Sequence, residues 1–346
     1  MKQNLDWNNL GFEVRETNAV IVSKFKDGVW SEPEVVKDLN MVLNVYSGVL
    51  HYANSCFEGL KAFRGVDGKV RLFRPDENAR RMQRAGVFLD MAYPSEEMFV
   101  KMCLMCVKEN LDFLPPYGYN ASMYLRPLLI GSNPQLNLLT STEVTFIVMG
   151  NPVGSYSGTA SLTPVNAVIC RDFDRAAPNG TGSYKLSANY APSFRAYNRA
   201  HAAGYKEILF TDSLTHTKID EFGSSNFFAI KGNSYVTPLS DSVLPSITNK
   251  SLQQLAADFG MRVEKRVVPV SELDDFSEVN ACGTAVVITP IWNIVDKATI
   301  EDSAIIGNHV FGSKEVCGKT SAMLYNTIRG IQDGTVEDAH SWCITL

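Results

Sequence analysis

One lysine of the chain has small neighbours that leave its side-chain amine room to react. Lys185 lies in the segment Gly182-Ser183-Tyr184-Lys185-Leu186-Ser187-Ala188-Asn189-Tyr190, among small residues and five positions before Tyr190. An unprotonated lysine amine can form a Schiff base with an aldehyde, and small neighbours leave room for a flat ring that bears one. Because the chain holds 32 lysine and arginine residues, a lysine alone is most often a solvated surface charge. The assignment therefore depends on the other segments.

A carboxylate could complement this lysine. Glu221 precedes the small residues Gly223-Ser224-Ser225 and then an apolar run, an arrangement that could aim its side chain into a cleft. A carboxylate beside a pyridine nitrogen favours the protonated ring, since opposite charges stabilise each other. A protonated pyridine is a strong electron sink. The alternative interpretation is an acidic turn residue next to a strand.

Two further segments could bind anions. Leu244-Pro245-Ser246-Ile247-Thr248 directly precedes a predicted helix, and the N–H groups at a helix N-terminus attract anions. Ser246 or Thr248 could equally be a simple N-cap. The loop Cys282-Gly283-Thr284-Ala285 precedes a predicted strand and could present N–H donors and a hydroxyl. Taken alone, this loop is a weak signal.

Strands and helices alternate along the chain and must position these residues. Apolar periodicity, β-branched residues and glycine stops predict strands at 20–25, 70–73, 122–130, 143–149, 160–170, 207–211, 226–230, 234–238 and 286–290, and helices at 76–89, 95–114, 191–203, 249–259 and 315–330. A turn at Gly232-Asn233 would join two of these strands into a hairpin. The glycine-rich stretch 150–159 predicts a connection between domains, with an ordinary hairpin loop as the alternative. We expect a smaller N-terminal α/β domain at 1–150, a connection at 151–159 and a larger C-terminal domain at 160–346.

Composition narrows the class of protein. The chain has 346 residues, 45% hydrophobic and 20% charged, with a net charge of −5. These values indicate a globular protein with no basic surface for nucleic acid or acidic lipid, and no apolar run approaches the roughly 20 residues that span a bilayer. The N-terminus does not resemble a signal or transit peptide.

Cysteine and histidine usage predicts neither disulfides nor a metal site. Seven scattered cysteines indicate a cytoplasmic protein with reduced thiols. Cys103-Leu104-Met105-Cys106 lies in a predicted helix and is interpreted as a structural helix face, with redox or metal chemistry as the alternative. The five histidines lack metal-ligand spacing.

Together these segments resemble the branched-chain amino acid aminotransferases, members of the class IV pyridoxal phosphate enzymes. The resemblance runs nearly end to end. It is carried by His51-Tyr52, Phe57-Glu58-Gly59-Leu60-Lys61-Ala62-Phe63, Arg71-Leu72-Phe73-Arg74-Pro75, Tyr124-Leu125-Arg126-Pro127, Tyr184-Lys185-Leu186, Asn189-Tyr190, Glu221-Phe222-Gly223, Leu244-Pro245 and Gly283-Thr284-Ala285.

The resemblance implies a fold, a reaction and roles for residues. It implies a mixed α+β, two-domain fold type IV enzyme with pyridoxal 5'-phosphate between the domains, assembled as a homodimer. The reaction would be reversible amino transfer between leucine, isoleucine or valine and 2-oxoglutarate, with Lys185 catalytic. The implied cofactor-binding residues are Arg81, Lys185, Tyr190, Glu221, Ser224, Ile247, Thr248 and Thr284. The implied substrate-binding residues are Tyr52, Phe57, Tyr124, Arg126, Thr284 and Ala285.

The chain departs from the family pattern in three places. Ser187-Ala188 stands where many members have Gly-Gly, and Ser246 where many have glycine. Val286 and Thr289 stand where some animal members carry a redox pair of cysteines, so we expect no such switch. Alternatives remain another class IV enzyme, such as a D-amino acid aminotransferase or a lyase, and a non-catalytic α/β binding protein. Intact Lys185 and Glu221 argue against the latter.

Overall fold

The computed structural model describes residues 5–154 and 162–346. Its strands are β1 (Val20–Lys26), β2 (Val29–Trp30), β3 (Glu34–Val36), β4 (Ser55–Phe57), β5 (Leu60–Arg64), β6 (Val70–Phe73), β7 (Ser122–Gly131), β8 (Val144–Val153), β9 (Val165–Cys170), β10 (Glu207–Thr211), β11 (Ile219–Phe222), β12 (Asn226–Lys231), β13 (Ser234–Pro238), β14 (Arg262–Arg266), β15 (Glu278–Gly283), β16 (Val287–Asp296), β17 (Gly307–Val310) and β18 (Cys343–Thr345). Its α-helices are α1 (Gly48–Tyr52), α2 (Pro75–Phe88), α3 (Glu96–Glu109), α4 (Phe194–Ala202), α5 (Ile247–Asp258) and α6 (Lys319–Asp333).

The chain divides into two compact units. The first comprises residues 1–158, 184–188 and 330–346, and the second comprises residues 159–183 and 189–329. The two units are therefore of similar length. Both short segments of the first unit lie inside our predicted C-terminal domain. They join the first unit through pairings that are distant in sequence: β18 pairs with β6, and Leu186 forms a bridge with Cys56.

The predicted interdomain connection starts too early. We expected it at 151–159, but β8 continues to Val153 and pairs with β7 along its full length. Asn151 is held in the strand by the chain that precedes β1, because its side chain accepts a hydrogen bond from Arg15 N and donates one to Glu13 O. Residues 155–159 of the predicted connection lie outside the described residues.

The first unit is an antiparallel sheet covered by two helices. The strand order is β18-β6-β5-β7-β8-β1-β2, and β3 and β4 add to β1 and β7. α2 starts with Pro75 at its first turn, where proline suits the helix, and buries Ala79, Met82 and Ala85 at helical spacing. α3 starts at the N-cap Ser95, whose hydroxyl accepts a hydrogen bond from Met98 N.

α3 settles the interpretation of the C-x-x-C motif. Cys103 and Cys106 are fully buried on the apolar face of this helix, in the same core cluster as Phe99 and Met102. The predicted helix 95–114 was too long, since α3 ends at Glu109 and a separate short 3-10 turn follows at Leu111–Phe113. Asn110 ends the helix because its side-chain amide donates to Cys106 O and Ala19 O.

The second unit contains a closed ring of strands. The order β11-β10-β9-β16-β15-β12 closes because β11 also pairs with β12, while β13 and β14 extend beyond β12 and β17 pairs with β16. The pairs β9–β10, β9–β16 and β13–β14 are parallel. The core of this ring is apolar, with Leu209, Phe222 and Phe227 fully buried. Closure leaves the ring without exposed edges.

Most of the predicted second-half elements are confirmed, and several of them have shifted ends. The hairpin of β12 and β13 turns at Gly232, which has φ +57. Predicted helix 191–203 begins instead as a 3-10 turn at Ala191–Ser193 before α4. Predicted strand 160–170 starts only at Val165, and its residues 160–161 are not described. Predicted helix 315–330 starts at Lys319, where Glu278 accepts hydrogen bonds from the first N–H groups.

No helix among the described residues is long and apolar enough to cross a membrane.

Glu207, the first residue of β10, should make stability depend on pH. Burial raises the pKa of its carboxyl to about 7, and its Oε2 atom has no hydrogen-bond partner. The folded state therefore favours the protonated acid, so this group's stabilisation is complete below pH 4.5 and is lost as pH rises through 7. We expect Glu207→Gln to recover at most about 3 kcal/mol of unfolding free energy at pH 8 relative to pH 5. Denaturant titrations at the two pH values measure this, with exposed Glu16→Gln as the control. An unchanged pH dependence in Glu207→Gln would contradict the assignment.

Candidate active site

Lys185 is held in the first unit by the strand that precedes the Glu58-Gly59 turn. Its carbonyl oxygen accepts a hydrogen bond from Phe57 N at 3.2 Å, and Leu186 bridges to Cys56. Leu186 is buried in the core of the unit. The Tyr184 ring stacks on Phe88 at the end of α2, with centroids 4.1 Å apart. Anchors on both sides therefore fix the backbone of the lysine.

The Lys185 amine lies beside an aromatic wall. Its Nζ is 4.8 Å from the centroid of the Phe57 ring. The guanidinium of Arg126 lies 4.6 Å from the same ring and 5.4 Å from the ring of Tyr124. Tyr124 and Arg126 are two positions apart on β7, so their side chains lie on the same face of the strand. The structure thus brings together four of the predicted site residues, Lys185, Phe57, Tyr124 and Arg126.

Arg126 keeps hydrogen-bonding capacity for a further partner. Its Nη2 donates to the Tyr124 hydroxyl at 3.2 Å, whereas its Nε is buried without a partner. The planar guanidinium is suited to a carboxylate. Gly59 makes room here, because a Cβ at that position would lie 2.1 Å from the Tyr124 hydroxyl. The Phe57-Glu58-Gly59 motif therefore has a packing reason for its glycine.

Tyr52 and Arg81 also belong to the first unit. Tyr52 is 40% exposed at the end of α1, and its hydroxyl donates to Leu136 O. Arg81, on α2, forms a buried ion pair with Glu58: Nε donates to Oε1 at 2.7 Å and Nη2 to Oε2 at 2.6 Å. Asn78, one turn earlier on the same helix, also donates to Glu58 Oε2. Glu58 thereby orients the arginine that was predicted to bind phosphate.

In the second unit, Glu221 is a buried carboxylate with three donors. It is 4% exposed on β11. Its Oε1 accepts from Arg175 Nη2 at 2.6 Å and from Leu244 N at 3.2 Å, and its Oε2 accepts from Asn226 Nδ2 at 2.6 Å. Burial raises the pKa of Glu221, and Arg175 and the other donors oppose this shift. The three donors therefore offset part of the cost of burying this carboxylate.

A chain of side-chain amides connects Glu221 to the start of α5. Asn226 accepts from Asn249 Nδ2 at 3.2 Å, and Asn249 also contacts the hydroxyls of Thr237 and Tyr235. Ser246 is the N-cap, since its hydroxyl accepts from Asn249 N. The next two residues, Ile247 and Thr248, belong to the first turn, whose N–H groups have no partner within the helix. The carboxylate and this anion-attracting helix end are therefore parts of one network.

Strand register places the Gly283-Thr284-Ala285 loop close to the same carboxylate. Glu221 pairs with Asn226, which pairs with Cys282 on β15. Thr284 and Ala285 follow two and three residues later and are half-buried. The loop ends at Val287, whose φ of +64 is strained for a β-branched residue. Such strain is common where a turn must present its backbone to a ligand.

Two other predicted residues of this unit are less enclosed. Ser224 is exposed in the turn between β11 and β12. Gly223 beside it must be glycine, since a Cβ there would lie 2.3 Å from the Tyr197 hydroxyl. Tyr190 is half-buried and begins the 3-10 turn before α4, where its carbonyl accepts from the Ser193 hydroxyl. Cofactor contacts of Ser224 and Tyr190 therefore stay predictions.

Sequence reasoning missed Arg175, Asn226 and Asn249. Arg175 is 46 positions before Glu221, and no local pattern distinguishes it from a surface arginine. Its Nη2 also donates to Gly182 O and Ser242 O, which ties together the segments around the carboxylate. Asn226 is the first residue of an apolar strand. A polar residue at a strand position that is expected to be buried was the sequence signal that could have identified it.

The thiols of the chain are poor candidates for chemistry. Burial raises the pKa of Cys282 and of Cys103, and raises that of Cys106 to about 12. Thiolate is the reactive form of cysteine, so these groups are held in the unreactive state.

Among the described residues, no group of three or more acidic, histidine or cysteine side chains could hold a metal ion.

Comparison with known proteins identifies the family. Residues 55–294 match the family model described as amino-transferase class IV. The branched-chain-amino-acid aminotransferase of Haemophilus influenzae is 42% identical to this chain over 351 residues, covering 99% of both chains. That of Helicobacter pylori is 42% identical over 342 residues, covering 98% of this chain and 97% of its own.

Solved structures share the fold. The Escherichia coli branched-chain amino acid aminotransferase superposes with a TM-score of 0.77 at 24% identity, covering 94% of this chain and 98% of its own. The Thermobaculum terrenum enzyme, solved in its PLP-form, gives 0.77 at 19% identity, covering 96% of this chain and 99% of its own. These similarities confirm the predicted mixed α+β, fold type IV architecture. The chain belongs to the branched-chain amino acid aminotransferases of aminotransferase class IV.

Proposed function

We propose that this protein catalyses reversible amino transfer between leucine, isoleucine or valine and 2-oxoglutarate, with pyridoxal 5'-phosphate as cofactor. Its family membership supports the reaction class. The observation that carries the proposal is that the Lys185 amine and the Arg126 guanidinium both lie beside the Phe57 ring, with Tyr124 next to Arg126. This cluster offers an amine, an apolar wall and a guanidinium, which are the groups needed to transfer protons and to accept both apolar and acidic substrates.

The chemistry of the donor set fits the cofactor. Pyridoxal phosphate, when bound, supplies an electron sink that stabilises negative charge at the substrate Cα. Glu221 would hold its ring nitrogen, since Arg175 pairs with this buried carboxylate and favours its charged form against the effect of burial. The N–H groups of Ile247 and Thr248 and the Thr284 hydroxyl would bind phosphate, together with Arg81. Tyr190 would contact the phenolic oxygen of the ring, and Ser224 would contribute from the β11–β12 turn.

The remaining residues would bind and orient the substrate. The N–H groups of Thr284 and Ala285 would accept the α-carboxylate. Tyr52, Phe57 and Tyr124 would enclose a branched side chain, and Arg126 would take the distal carboxylate of glutamate through its unpartnered Nε. The Lys185 amine, once unprotonated, would take the proton from the substrate Cα and deliver it to the cofactor. The Phe57 ring beside that amine would limit its access to water.

A substrate panel tests the proposal. Purified holoenzyme is expected to transfer amino groups from L-leucine, L-isoleucine and L-valine to 2-oxoglutarate, with D-enantiomers and lyase substrates inactive. The product glutamate and the 2-oxo acid are quantified separately, so that elimination without transfer is detected. A preference for D-amino acids, or 2-oxo acid formation without glutamate, would replace the proposal by one of the other class IV activities.

Arg81 is expected to hold the cofactor through its phosphate. Arg81→Ala removes a charged hydrogen-bonding group worth about 1.5–3 kcal/mol, so cofactor retention should fall roughly 10- to 100-fold. The same change strands the fully buried Glu58 carboxylate, which itself destabilises the fold. Cofactor content after dialysis and melting temperature are measured together.

A double variant separates the two effects of Arg81. Arg81→Ala with Glu58→Gln should recover much of the lost melting temperature but not the cofactor. Arg80→Ala is the matched control, since Arg80 is the exposed neighbour that pairs with Asp76 and Glu96. Full cofactor retention by the double variant would show that phosphate is held by other groups.

We also propose that the protein is a homodimer. An exposed apolar patch in the first unit, the α1 patch, supports it; its members are Val42, Val45, Tyr46, Leu50, Leu136, Leu138 and Leu139. The two segments that form it are joined by hydrogen bonds from Gln135 N to Tyr46 O and from Gly48 N to Asn133 O. Contiguous exposed apolar surface of this kind marks protein interfaces.

The α1 patch predicts the effect of a single charge. Leu138 is 82% exposed, so Leu138→Asp should leave the fold intact while a buried carboxylate shifts the dimer toward monomer. Light scattering across a dilution series measures the mass. Val14→Asp is the control, because Val14 is 88% exposed and lies outside the patch. Equal dissociation in both variants, or none in either, would exclude the patch as the interface.

We propose a cytoplasmic location. All seven cysteines are unpaired in the structure, which is the usual state in a reducing compartment. Amino acids and 2-oxo acids would be the small-molecule partners.

A further inference from the structure

One acceptor position of Glu221 has no donor among the described residues. A carboxylate offers about four acceptor positions, divided equally between its two oxygens. Oε1 contacts Arg175 Nη2 at 2.6 Å and Leu244 N at 3.2 Å, whereas Oε2 accepts from Asn226 Nδ2 at 2.6 Å. The Glu221 side chain keeps 5% of its surface exposed. The position that stays open for a further donor is therefore on Oε2, beside Asn226.

Asn226 is anchored beside this oxygen. It is the first residue of β12, and its backbone pairs with Glu221 on β11 and with Cys282 on β15. Residues that lie directly opposite in a sheet project from the same face, so the Asn226 and Glu221 side chains lie side by side. Asn226 is 5% exposed, and hydrogen bonds away from water are electrostatically stronger.

The direction of the Asn226 amide is fixed at both ends. Its Nδ2 also donates to Leu244 O at 3.0 Å, and a backbone carbonyl can only accept. Its Oδ1 accepts from Asn249 Nδ2 at 3.2 Å. If the amide were turned over, its oxygen would face the two acceptors Leu244 O and Glu221 Oε2. The donor end of Asn226 is therefore directed at Glu221.

The Asn249 amide is oriented by its own partners. The Tyr235 hydroxyl donates to Asn249 Oδ1 at 2.7 Å. Thr237 Oγ1 donates to the carbonyl of Phe227 and accepts from Asn249 Nδ2 at 2.9 Å. Asn249 thus presents a donor to Asn226, in agreement with the direction set by Leu244.

We propose that Asn226 is a positioning residue for the cofactor: it donates to Glu221 Oε2 and leaves on that oxygen the acceptor position that the ring nitrogen takes. The inference rests on the proposed cofactor site. A donor to Oε2 stabilises the negative charge of Glu221, so the proton between carboxylate and ring stays on the nitrogen. Without this donor the carboxylate is a stronger base and competes for that proton.

The neighbouring charges do not depend on Asn226. Among the described residues, the charged and titratable groups that act on Glu221 are Arg175, Asp220 and Cys282. Arg175 favours the charged form of Glu221 and Asp220 opposes it. Cys282 is a neutral thiol, because burial raises its pKa. A change in ring protonation after replacement of Asn226 therefore reports the lost hydrogen bond.

Asn226→Leu and Asn249→Leu test the proposal as a matched pair, because both asparagines are 5% exposed. The first removes the donor to Glu221, whereas the second leaves the bonds from Asn226 to Glu221 and Leu244 in place. The holoenzyme is prepared with cofactor isotopically labelled at the ring nitrogen, whose NMR shift across pH gives the ratio of protonated to neutral ring. We expect Asn226→Leu to lower this ratio about 10-fold, since a hydrogen bond to a charged group is worth about this much. Asn249→Leu should lower the melting temperature and leave the ratio unchanged.

A crystal structure of the wild-type holoenzyme tests the same proposal even if Asn226→Leu does not fold. The ring nitrogen should contact Oε2 of Glu221, with Asn226 Nδ2 on the same oxygen. A nitrogen on Oε1, an unchanged ratio in Asn226→Leu, or an equal decrease in both variants would overturn the role of Asn226 and leave the proposed function in place. A wild-type protein that does not bind pyridoxal phosphate would overturn both.

Discussion

Lys185→Ala is expected to lose turnover by about 10⁴-fold or more, because one side chain supplies both the covalent amine and the proton carrier. The fold should persist, since the neighbouring anchors are intact: Tyr184 still stacks on Phe88, and Leu186 remains in the core. Initial rates with L-leucine and 2-oxoglutarate, together with the melting temperature, measure the two effects separately.

Further variants decide whether the amine itself is responsible. Lys185→Arg keeps a cation beside Phe57 but cannot act as a free amine, so it should be as inactive as Lys185→Ala. Added methylamine should restore part of the activity of the alanine variant only, since its amine can occupy the vacated space. Lys61 is a buried lysine of the same unit, and Lys61→Met should keep fixation of cofactor by borohydride. Fixation that persists in Lys185→Ala and disappears in Lys61→Met would transfer the role to Lys61.

The secondary structure could be predicted from the sequence wherever residues within one element determine it. β6 and β10 agree with the predicted bounds, and the β12–β13 hairpin turns at the predicted Gly232, because strand alternation and glycine at positive φ act within a few residues. Helix ends were less predictable. α3 was expected to continue to residue 114, but Asn110 ends it through a hydrogen bond to Ala19 O, a partner 91 positions earlier that no local pattern reveals.

Long-range pairing explains the other differences. Residues 184–188 and 330–346 belong to the first unit because Cys56 and β6 offer them pairing partners far away in sequence. The same limit applies to the site. Lys185, Glu221 and the Gly283-Thr284-Ala285 loop were visible as motifs, whereas the Arg175 partner of Glu221 was not, since an ion pair depends on tertiary proximity. The Glu58 partner of Arg81 was equally hidden, although Glu58 stood within a recognisable motif.

Glu221→Gln is expected to reduce turnover by about 10- to 1,000-fold while cofactor still binds. A carboxylate in contact with a pyridine nitrogen raises the pKa of that nitrogen by roughly 1–3 units, and each unit is worth about 1.4 kcal/mol between protonation states. Glutamine keeps the size and hydrogen-bonding of the side chain but removes the charge. The absorption spectrum of the holoenzyme, titrated with pH, reports ring protonation independently of the rate.

The ion pair between Glu221 and Arg175 affects the interpretation of Glu221→Gln. Glutamine at position 221 leaves the Arg175 guanidinium buried without its anion, so part of any loss could come from instability. Glu221→Gln combined with Arg175→Met removes both charges; it should regain melting temperature and remain slow. Asp220→Asn is the matched control, because Asp220 is the neighbouring carboxyl of β11, is also 4% exposed and faces the opposite side of the strand. A normal turnover number and an unchanged spectrum in Glu221→Gln would show that Glu221 serves the fold of the β11–β12 turn and not the cofactor.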